Sequence, residues 1–346
     1  MKKYLLFLVL FALQVSLLAQ FNSEKEPFMT KPLSNESIKN VEVQTSGGSI
    51  SVSGVAASEA RIEVYVSTTN NRNSLSKEEI QKRLDELYDL NISVSNNKLT
   101  ATAKRKQRMD DWKKSLSISF KVFVTKDVST DLTTSGGSIS LTNLSGKQNF
   151  STSGGSLDID NVSGNVDGRT SGGGINVENS KDDIELSTSG GSIEAKNCDG
   201  KLRLTTSGGS LELKDLKGEI RATTSGGSIH GSSIEGELIS HTSGGSIYFT
   251  DLSCSLETST SGGNIDVSMK ELGKYIKISN SAGNIDLQLP KNKGMDLDLS
   301  AEKIKTDHLE NFSGKLNEEE VNGKLNGGGV LVRVDAGSGR ISLGLK

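Results

Sequence analysis

Aromatic side chains are scarce in this sequence, and so are proline and cysteine. Phe, Trp and Tyr together make up 4% of the 346 residues, with 3 prolines and 2 cysteines, whereas glycine occurs 38 times. A large globular core usually draws on aromatic residues, so their scarcity argues against one. The composition fits a fold that buries thin ladders of stacked aliphatic side chains.

The chain also lacks an excess of charge of one sign. It carries 40 basic and 43 acidic side chains, which gives a formal net charge of -3. Proteins that hold nucleic acid across a broad surface carry a basic excess there. We therefore expect no nucleic acid among the partners of this protein.

Long apolar segments are absent except near the start of the chain. A basic beginning at residues 1–3 is followed by an apolar run from Tyr4 to about Leu18 and then by the small residue Ala19. This order is typical of a secretory signal peptide, which we assign to residues 1–20. We expect the protein to be exported to the periplasm, the cell surface or the medium, with no transmembrane segment in the remainder.

The sequence does contain one short motif, Thr-Ser-Gly-Gly-x-Ile/Leu, which repeats at a fixed interval. An earlier copy begins at Thr45, and a weakened copy begins at Asn280. Self-similarity at a fixed short period indicates a solenoid. The copies that follow each other every eighteen residues begin at Thr134, Thr152, Thr170, Thr188, Thr206, Thr224, Thr242 and Thr260.

Between these turns, apolar and polar residues alternate along two short stretches of each repeat. Such alternation places every second side chain inside a β structure and its neighbours in water. We therefore predict a mostly β fold, a single-stranded β-solenoid (parallel β-helix or β-roll) with 18-residue coils over residues 132–346. Its closing coils are expected to be irregular from about residue 291, where the period loosens.

The two turns of each coil are predicted to be structural. Glycines in both turns are expected to supply positive φ angles that other residues resist. The threonine column continues the inward alternation of the return strand, so its hydroxyls are expected to bond to backbone groups of the turn.

The segment before the solenoid is expected to be less regular. Residues 21–40 contain Pro27 and Pro32 with little periodicity, which predicts a flexible leader. Residues 41–131 are predicted to form a small α+β cap that covers the open edge of the solenoid.

One helix is predicted in this cap, near residues 76–88. Ser76 followed by Glu79 is the pattern of a capping box, and Leu75 with Ile80 is the pattern of a hydrophobic staple. The apolar residues that follow lie on one face, which must pack on a sheet.

The two cysteines fall in different columns of the solenoid. Cys198 aligns with Leu144, whereas Cys254 aligns with Gly146, three coils further on. Strands stacked about 4.8 Å apart place the two cysteines on the order of 14 Å apart along the axis. A disulfide tolerates a Cα separation of only about 7 Å, so two free thiols are predicted.

These repeats resemble the bacterial β-strand-repeat putative adhesin family. The resemblance is carried by the Thr-Ser-Gly-Gly-Ser-Ile turns, by the alternating segment 116–124 and by the Gly327-Gly328-Gly329 ending. It covers residues 41–346 and implies an exported or envelope protein with this fold. The family has no catalytic signature, so the resemblance implies no active-site residue.

Side chains at equivalent outward positions of successive coils form columns on the surface, and two of these columns supply a candidate metal site. Side chains from two neighbouring columns and two adjacent coils make a two-by-two patch of oxygen ligands, spaced about 5 by 7 Å, which could hold Ca²⁺. A solvated acidic surface relieved by Lys196 and Lys214 is the interpretation that we favour, and no other cofactor is expected. The candidate ligands are Asp158, Asp160, Asn176 and Glu178.

A second outward group, His230, Tyr248 and Asp266, falls in one column of successive coils. A carbohydrate contact is one interpretation of this group. Acid–base catalysis requires groups that converge on one substrate atom, whereas side chains one coil apart point in the same direction. We therefore expect no catalytic residue and keep the three as candidate ligand contacts.

A basic stretch precedes the solenoid, at residues 104–108 and 112–114. It is either a contact for a polyanion or a solvated loop between two strands. Asp110 and Asp111 dilute its charge, which favours the loop.

The sequence thus favours an exported, non-enzymatic β-solenoid that acts as an adhesin-like binding or scaffolding module of the envelope or surface. Its expected partner is an envelope or surface glycan or protein, and the oligomeric state stays open. The alternative is a polysaccharide lyase or hydrolase on a parallel β-helix. Short, nearly invariant turns leave no long loops to wall a cleft, which favours the first hypothesis.

Overall fold

The computed structural model describes residues 26–68, 75–106 and 114–346. Within these residues the chain is mostly β, with one large and mostly parallel sheet and one α-helix, α1 (Lys77–Leu87). The signal peptide predicted for residues 1–20 lies outside the described residues. The strands, in chain order, are β1 (Met29–Pro32), β2 (Asn40–Gln44), β3 (Ile50–Gly54), β4 (Arg61–Thr68), β5 (Tyr88–Ser95), β6 (Lys98–Arg105), β7 (Leu116–Val124), β8 (Ser129–Thr133), β9 (Ile139–Thr142), β10 (Ser145–Ser151), β11 (Leu157–Asp160), β12 (Ser163–Thr170), β13 (Ile175–Glu178), β14 (Lys181–Thr188), β15 (Ile193–Thr206), β16 (Leu211–Thr223), β17 (Ile229–His241), β18 (Ile247–Thr260), β19 (Ile265–Asn280), β20 (Ile285–Leu289), β21 (Met295–Thr306), β22 (Phe312–Leu316), β23 (Glu320–Leu325) and β24 (Val330–Leu345).

The central coils stack in parallel with a constant register. Leu157 pairs with Ile175, Ile175 with Ile193 and Ile193 with Leu211, a step of eighteen residues each time. We call the strands that follow the Thr-Ser-Gly-Gly turns the front strands (β9, β11, β13 and the first parts of β15–β19). The back strands are β10, β12, β14 and the later parts of β15–β19.

Inward side chains of both strands form one continuous apolar core. Each strand alternates, as in β11, where Leu157 and Ile159 are buried and Asp158 and Asp160 are exposed. Like residues stack on like residues from coil to coil, so the core consists of aliphatic ladders. The column that starts the front strands is at most 3% exposed and comprises Ile139, Leu157, Ile175, Ile193, Leu211, Ile229, Ile247 and Ile265.

The Thr-Ser-Gly-Gly turn joins each coil to the one before it. The Thr152 hydroxyl donates to the carbonyl oxygen of Gly137 at 2.8 Å and accepts from the Gly155 N–H at 3.3 Å. This confirms that the threonine column satisfies backbone groups of the turn.

The reason for glycine in this turn differs from the expected one. No glycine of the described Thr-Ser-Gly-Gly turns has a positive φ. A Cβ on Gly155 would instead lie 2.0 Å from the Gly137 carbonyl oxygen of the preceding coil. Close approach of stacked backbones, not backbone angle, excludes side chains here.

Positive φ occurs in the second turn of each coil. Asn143, Asn161 and Asn179 have φ between 52° and 57°, and Gly146 and Gly164 have φ above 100°. Asparagine tolerates the left-handed region because its side chain bonds locally. Here the amide of Asn161 donates to the Asn143 side-chain oxygen at 2.6 Å, which ties neighbouring coils together.

The parallel stack begins earlier in the chain than residue 132, the start that the repeats predicted. β2 and β3 form a coil beneath β8 and β9, with Val41 paired to Thr130 and Ile50 to Ile139. β6 and β7 stack in parallel beneath that coil. Much of the predicted 41–131 cap is therefore part of the stack, because β2 and β3 insert between segments that follow them in the chain.

Antiparallel strands and a helix complete this end. β5 pairs with β6, β4 pairs with β7, and β1 pairs with β4. Helix α1 is present where the sequence predicted it, with Ser76 as its N-cap accepting from the Glu79 N–H. Leu84 on its inner face is buried against the core.

The flexible leader expected over residues 21–40 is wrong for its later part. Residues 29–32 form β1, and Leu33 and Ile38 are 1% and 5% exposed. These two apolar side chains join the core, which outweighs the lack of periodicity around Pro32. Residues 21–25 lie outside the described part.

The far end mirrors this arrangement. The first half of β24 lies between β19 and β21, and its second half lies between β20 and β21, all in parallel. Antiparallel β23 covers β21, and β22 covers β23. The irregular ending expected from residue 291 thus closes out of chain order, with the last strand inside the stack.

Both cysteines are buried free thiols, as predicted. Cys254 is the register partner of Gly236, so it occupies the glycine column assigned to it, whereas Cys198 pairs with Leu216. Within the residues that the structure describes, no helix is both long and apolar enough to cross a membrane.

Candidate binding surface

The front strands present one column of exposed polar side chains along the stack. Its members point outward because their neighbours on either side in the strand fill the core. Register pairing places the column in the order Ser140, Asp158, Asn176, Glu194, Glu212, His230, Tyr248, Asp266 and Asp286.

His230 and Tyr248 form an aromatic platform in this column. Their ring centroids are 5.1 Å apart, and the ring planes are inclined by 20°, which is a stacked geometry. Tyr248 keeps 42% of its surface exposed. A large aromatic side chain that stays this exposed on a folded surface is available for binding.

A shallow groove of about 300 Å³ runs beside the platform. Glu212 and Lys214 stand at one end of it, and the hydroxyl-bearing Ser232 and Thr250 lie along its side. The groove therefore offers an aromatic surface, a carboxylate, an ammonium group and hydroxyls within one small area. Such a mixture of apolar surface and few polar groups is typical of ligand sites.

The platform rests on an unusual pair in the core. Phe249 is fully buried directly beneath the front strand, and its ring lies against Gly231 in the preceding coil. A Cβ on Gly231 would lie 2.8 Å from the Phe249 ring, so glycine makes room for the aromatic side chain. This packing fixes the strand positions that carry His230 and Tyr248.

Asp266 is in register with Tyr248, as predicted, but it does not bond to the platform. Among the described residues it has no hydrogen bond to Tyr248 or His230. Burial, with a smaller effect from the nearby Asp286 carboxylate, raises the pKa of Asp266. The column thus passes from the aromatic platform to a pair of acidic side chains.

The acidic patch has the strand register that the sequence predicted. Asp158 pairs with Asn176 and Asp160 with Glu178. Asp160 accepts a hydrogen bond from the Asn179 amide at 2.8 Å, which occupies one carboxylate oxygen. Within the described ranges, no three His, Cys, Asp or Glu side chains lie close enough together to hold a metal ion.

A notch at Gly174 was not predicted from the sequence. The position after Gly-Gly is serine in the neighbouring coils, as at Ser156 and Ser192, but glycine here. The missing side chain opens a groove of about 340 Å³ that Asp158 and Asn176 line. Burial raises the pKa of Asp158 there. The break in the serine column was the signal that could have located this groove.

The basic stretch before the solenoid lies partly outside the described residues, which omit 107–113. Its described members make local contacts. Arg105 donates to the Ser115 hydroxyl at 2.8 Å, and Lys106 donates to the Asp85 carbonyl oxygen at 2.6 Å. Lys104 and Arg105 belong to β6, so this part of the predicted loop is strand.

Comparison with known proteins gives weak matches. No family model and no curated protein sequence matches the chain. Two crystal structures do match, each over 92% of this chain and 98% of its own. One is a putative cell adhesion protein from Clostridium sporogenes ATCC 15579, at 10% identity and a TM-score of 0.19. The other is a putative adhesin from Bacteroides fragilis NCTC 9343, at 11% identity and a TM-score of 0.24.

Both neighbours carry names that agree with the adhesin family that the repeats resemble. This chain is similar to putative adhesins.

Proposed function

We propose that the protein is an exported, non-enzymatic β-solenoid that binds a glycan of the cell envelope or surface on its front face. The observation that carries this proposal is the exposed aromatic platform of His230 and Tyr248 beside the groove. Export rests on the signal-like sequence of residues 1–20.

A glycan fits this surface better than an apolar ligand. One face of a sugar ring is lined by C–H groups and packs on an aromatic ring, while its hydroxyls need polar partners. Glu212 and Lys214 stand close enough to the platform to share a groove with it. The groove is shallow and open, as expected for a segment of a chain and not for an enclosed small molecule.

The geometry favours binding without turnover. Glycoside hydrolysis requires two carboxyl groups that flank one bond. His230, Tyr248 and Asp266 instead come from three successive coils and point in the same direction. The strands that carry them are regular, so these side chains line up along the face and do not converge on one bond.

A glycan array followed by calorimetry tests this proposal. Tyr248→Ala and His230→Ala are each expected to weaken binding of any hit by about tenfold, because each removes part of the aromatic platform. His241→Ala is the matched control, since His241 is exposed on the back strand and bonds to Ser259. It should leave the affinity unchanged.

Incubation of the hit with the protein tests the absence of catalysis. The oligosaccharide should be recovered intact, as judged by mass spectrometry. Turnover that disappears in His230→Ala would overturn the proposal in favour of a hydrolase or lyase. Equal loss of affinity in the His241→Ala control would overturn the assigned surface.

A further inference from the structure

Two arginines lie side by side on the back face. Arg203 of β15 and Arg221 of β16 are register partners on adjacent parallel strands, and both are exposed. Adjacent strands are about 4.8 Å apart, so the two guanidinium groups share one small area. In the described part of the chain, neither side chain forms an ion pair or a hydrogen bond.

Most other described arginines are paired. Arg61, Arg83, Arg169 and Arg333 each contact a carboxylate at 2.7–3.1 Å. Glu185 precedes Arg203 in the same column, yet the two form no ion pair. The two arginines therefore differ from these four in having no direct contact with a carboxylate among the described residues.

This arrangement favours an anion. Like charges directly opposite one another on a sheet repel, and an anion between them removes that repulsion. A guanidinium group presents its N–H donors in a planar fork that matches the two oxygens of a carboxylate. Two such guanidinium groups on neighbouring strands offer more N–H donors than one carboxylate needs, so a bound carboxylate is held from both sides.

The arginines also line a groove of about 220 Å³. Lys201 adds a third positive charge, and the half-buried Ile239 adds an apolar wall next to Arg221 in the column. Glu219 lies in the groove as an acceptor for hydroxyl groups. The second carboxylate that lines the groove, Glu237, already accepts a hydrogen bond from the Tyr275 hydroxyl at 2.7 Å.

From this geometry we infer that the back face carries a second binding site, which takes the carboxylate of an acidic saccharide between Arg203 and Arg221. The apolar wall of Ile239 and the acceptor Glu219 suit the C–H face and the hydroxyls of the same sugar. A polyphosphate chain fits less well, because Glu185 and Glu219 repel its closely spaced charges. This site lies on the opposite strand of the coil from the aromatic platform and does not depend on it.

Binding of galacturonate oligosaccharides to the full exported chain, measured by calorimetry, tests the inference. Neutral galactose oligosaccharides and dextran sulfate serve as comparison ligands. Arg203→Gln and Arg221→Gln are each expected to weaken galacturonate binding by about tenfold or more, because each removes charged hydrogen bonds. Arg203→Lys keeps the positive charge but loses the planar fork of donors, so its affinity for galacturonate should lie between those of the wild type and Arg203→Gln.

Arg340→Gln is the matched control. Arg340 is an exposed arginine that is also in register with a cation, Lys303, but it lies outside the Arg203–Arg221 groove.

Three results would overturn the inference. The first is that the wild-type protein does not bind galacturonate oligosaccharides. The second is that Arg340→Gln weakens galacturonate binding as much as the substitutions of Arg203 and Arg221 do. The third is that dextran sulfate binds as tightly as galacturonate. The first two remove the site, and the third shows an unselective attraction for anions. Circular dichroism of each variant checks that these exposed substitutions leave the fold intact.

Discussion

The hydroxyl of Thr206 donates a hydrogen bond of 2.8 Å to the carbonyl oxygen of Gly191 in the preceding coil. The hydroxyl oxygen of Thr206 also accepts a hydrogen bond from the N–H of Gly209 in its own turn at 3.3 Å. One side chain thus closes a turn and joins two coils. The arrangement repeats at Thr152, Thr170, Thr188, Thr224, Thr242 and Thr260.

Substitution of Thr206 by valine should destabilise the protein measurably. The side chain is buried, so valine keeps its shape but leaves a backbone carbonyl and an N–H with no partner. The expected loss in the free energy of unfolding is about 1–3 kcal/mol, measured by urea denaturation. Thr205→Val, at the exposed neighbouring position, is the control and should change the value by less than about 0.5 kcal/mol. Equal effects at the two positions would contradict the role of the hydroxyl.

The two glycines of one turn should respond differently to alanine. A Cβ on Gly209 would lie 2.0 Å from the Gly191 carbonyl oxygen, whereas a Cβ on Gly208 has its nearest neighbour at 3.6 Å. Gly209→Ala must push two coils apart, so a loss of about 2 kcal/mol or more is expected in the same denaturation assay. Gly208→Ala should stay within about 1 kcal/mol of wild type. The reverse order would show that backbone angle and not close approach selects glycine.

The middle of the stack could be predicted from the sequence because its period fixes the register. Once Thr206 aligns with Thr188, every inward and outward position follows from alternation. The ends could not be predicted in this way. The coil at Thr45 pairs with the coil at Thr134, although a helix and several strands separate them in the chain. No periodicity signals a contact between segments so far apart.

The candidate binding surface could also be predicted only in part. The column order placed His230 beside Tyr248 correctly. Their ring stacking depends on side-chain rotamers, which alternation does not specify. The register of Arg203 with Arg221 follows from the eighteen-residue period, but their lack of a carboxylate contact depends on the positions of side-chain atoms.

Both thiols should be unreactive in the folded protein. Cys198 and Cys254 are at most 2% exposed, and burial raises the pKa of each thiol, that of Cys254 to about 12. A thiol reagent at pH 8 should therefore label neither residue until denaturant is added, and then label both, since the thiolate is the reactive form. The number labelled after unfolding should be the same with and without prior reduction. Fewer thiols in the unreduced sample would indicate a disulfide.

Stability should fall in alkaline solution, with Tyr275 as one cause. Burial, together with the hydrogen bond to the Glu237 carboxylate, raises the pKa of Tyr275 from 10.0 to about 12. The unfolded chain then loses this proton at lower pH than the folded chain does. The stabilisation is complete below about pH 10 and is lost as the pH rises towards about 12.

Urea denaturation between pH 8 and pH 11.5 measures whether the free energy of unfolding falls as the pH rises. Tyr275→Phe should weaken the decline, because phenylalanine has no proton to lose. The buried Cys254 thiol contributes equally to both proteins, so the difference between them isolates Tyr275. Identical slopes in the two proteins would contradict the assignment.

The most severe effect is expected from loss of the last strand. A chain that ends at Gly329 lacks β24, whose inward residues Val332, Val334 and Ile341 are fully buried. Its removal separates β21 from β19 and β20. One long parallel edge is then exposed on β21 and another on β19 and β20. Open, regular edges of this kind pair with other chains. The truncated protein should therefore form oligomers that grow with concentration, as measured by light scattering after size exclusion.

A peptide of residues 330–346 should reverse this association. The gap left in the stack matches β24 in both the back half and the front half, so an added strand can pair on two sides at once. Its scrambled counterpart loses the alternation that directs Val332 and Val334 inward, and it should not restore the monomer. A truncated chain that stays monomeric with wild-type stability would show that β21 docks directly on β19 and β20. The last strand would then be an addition to the stack and not the element that closes it.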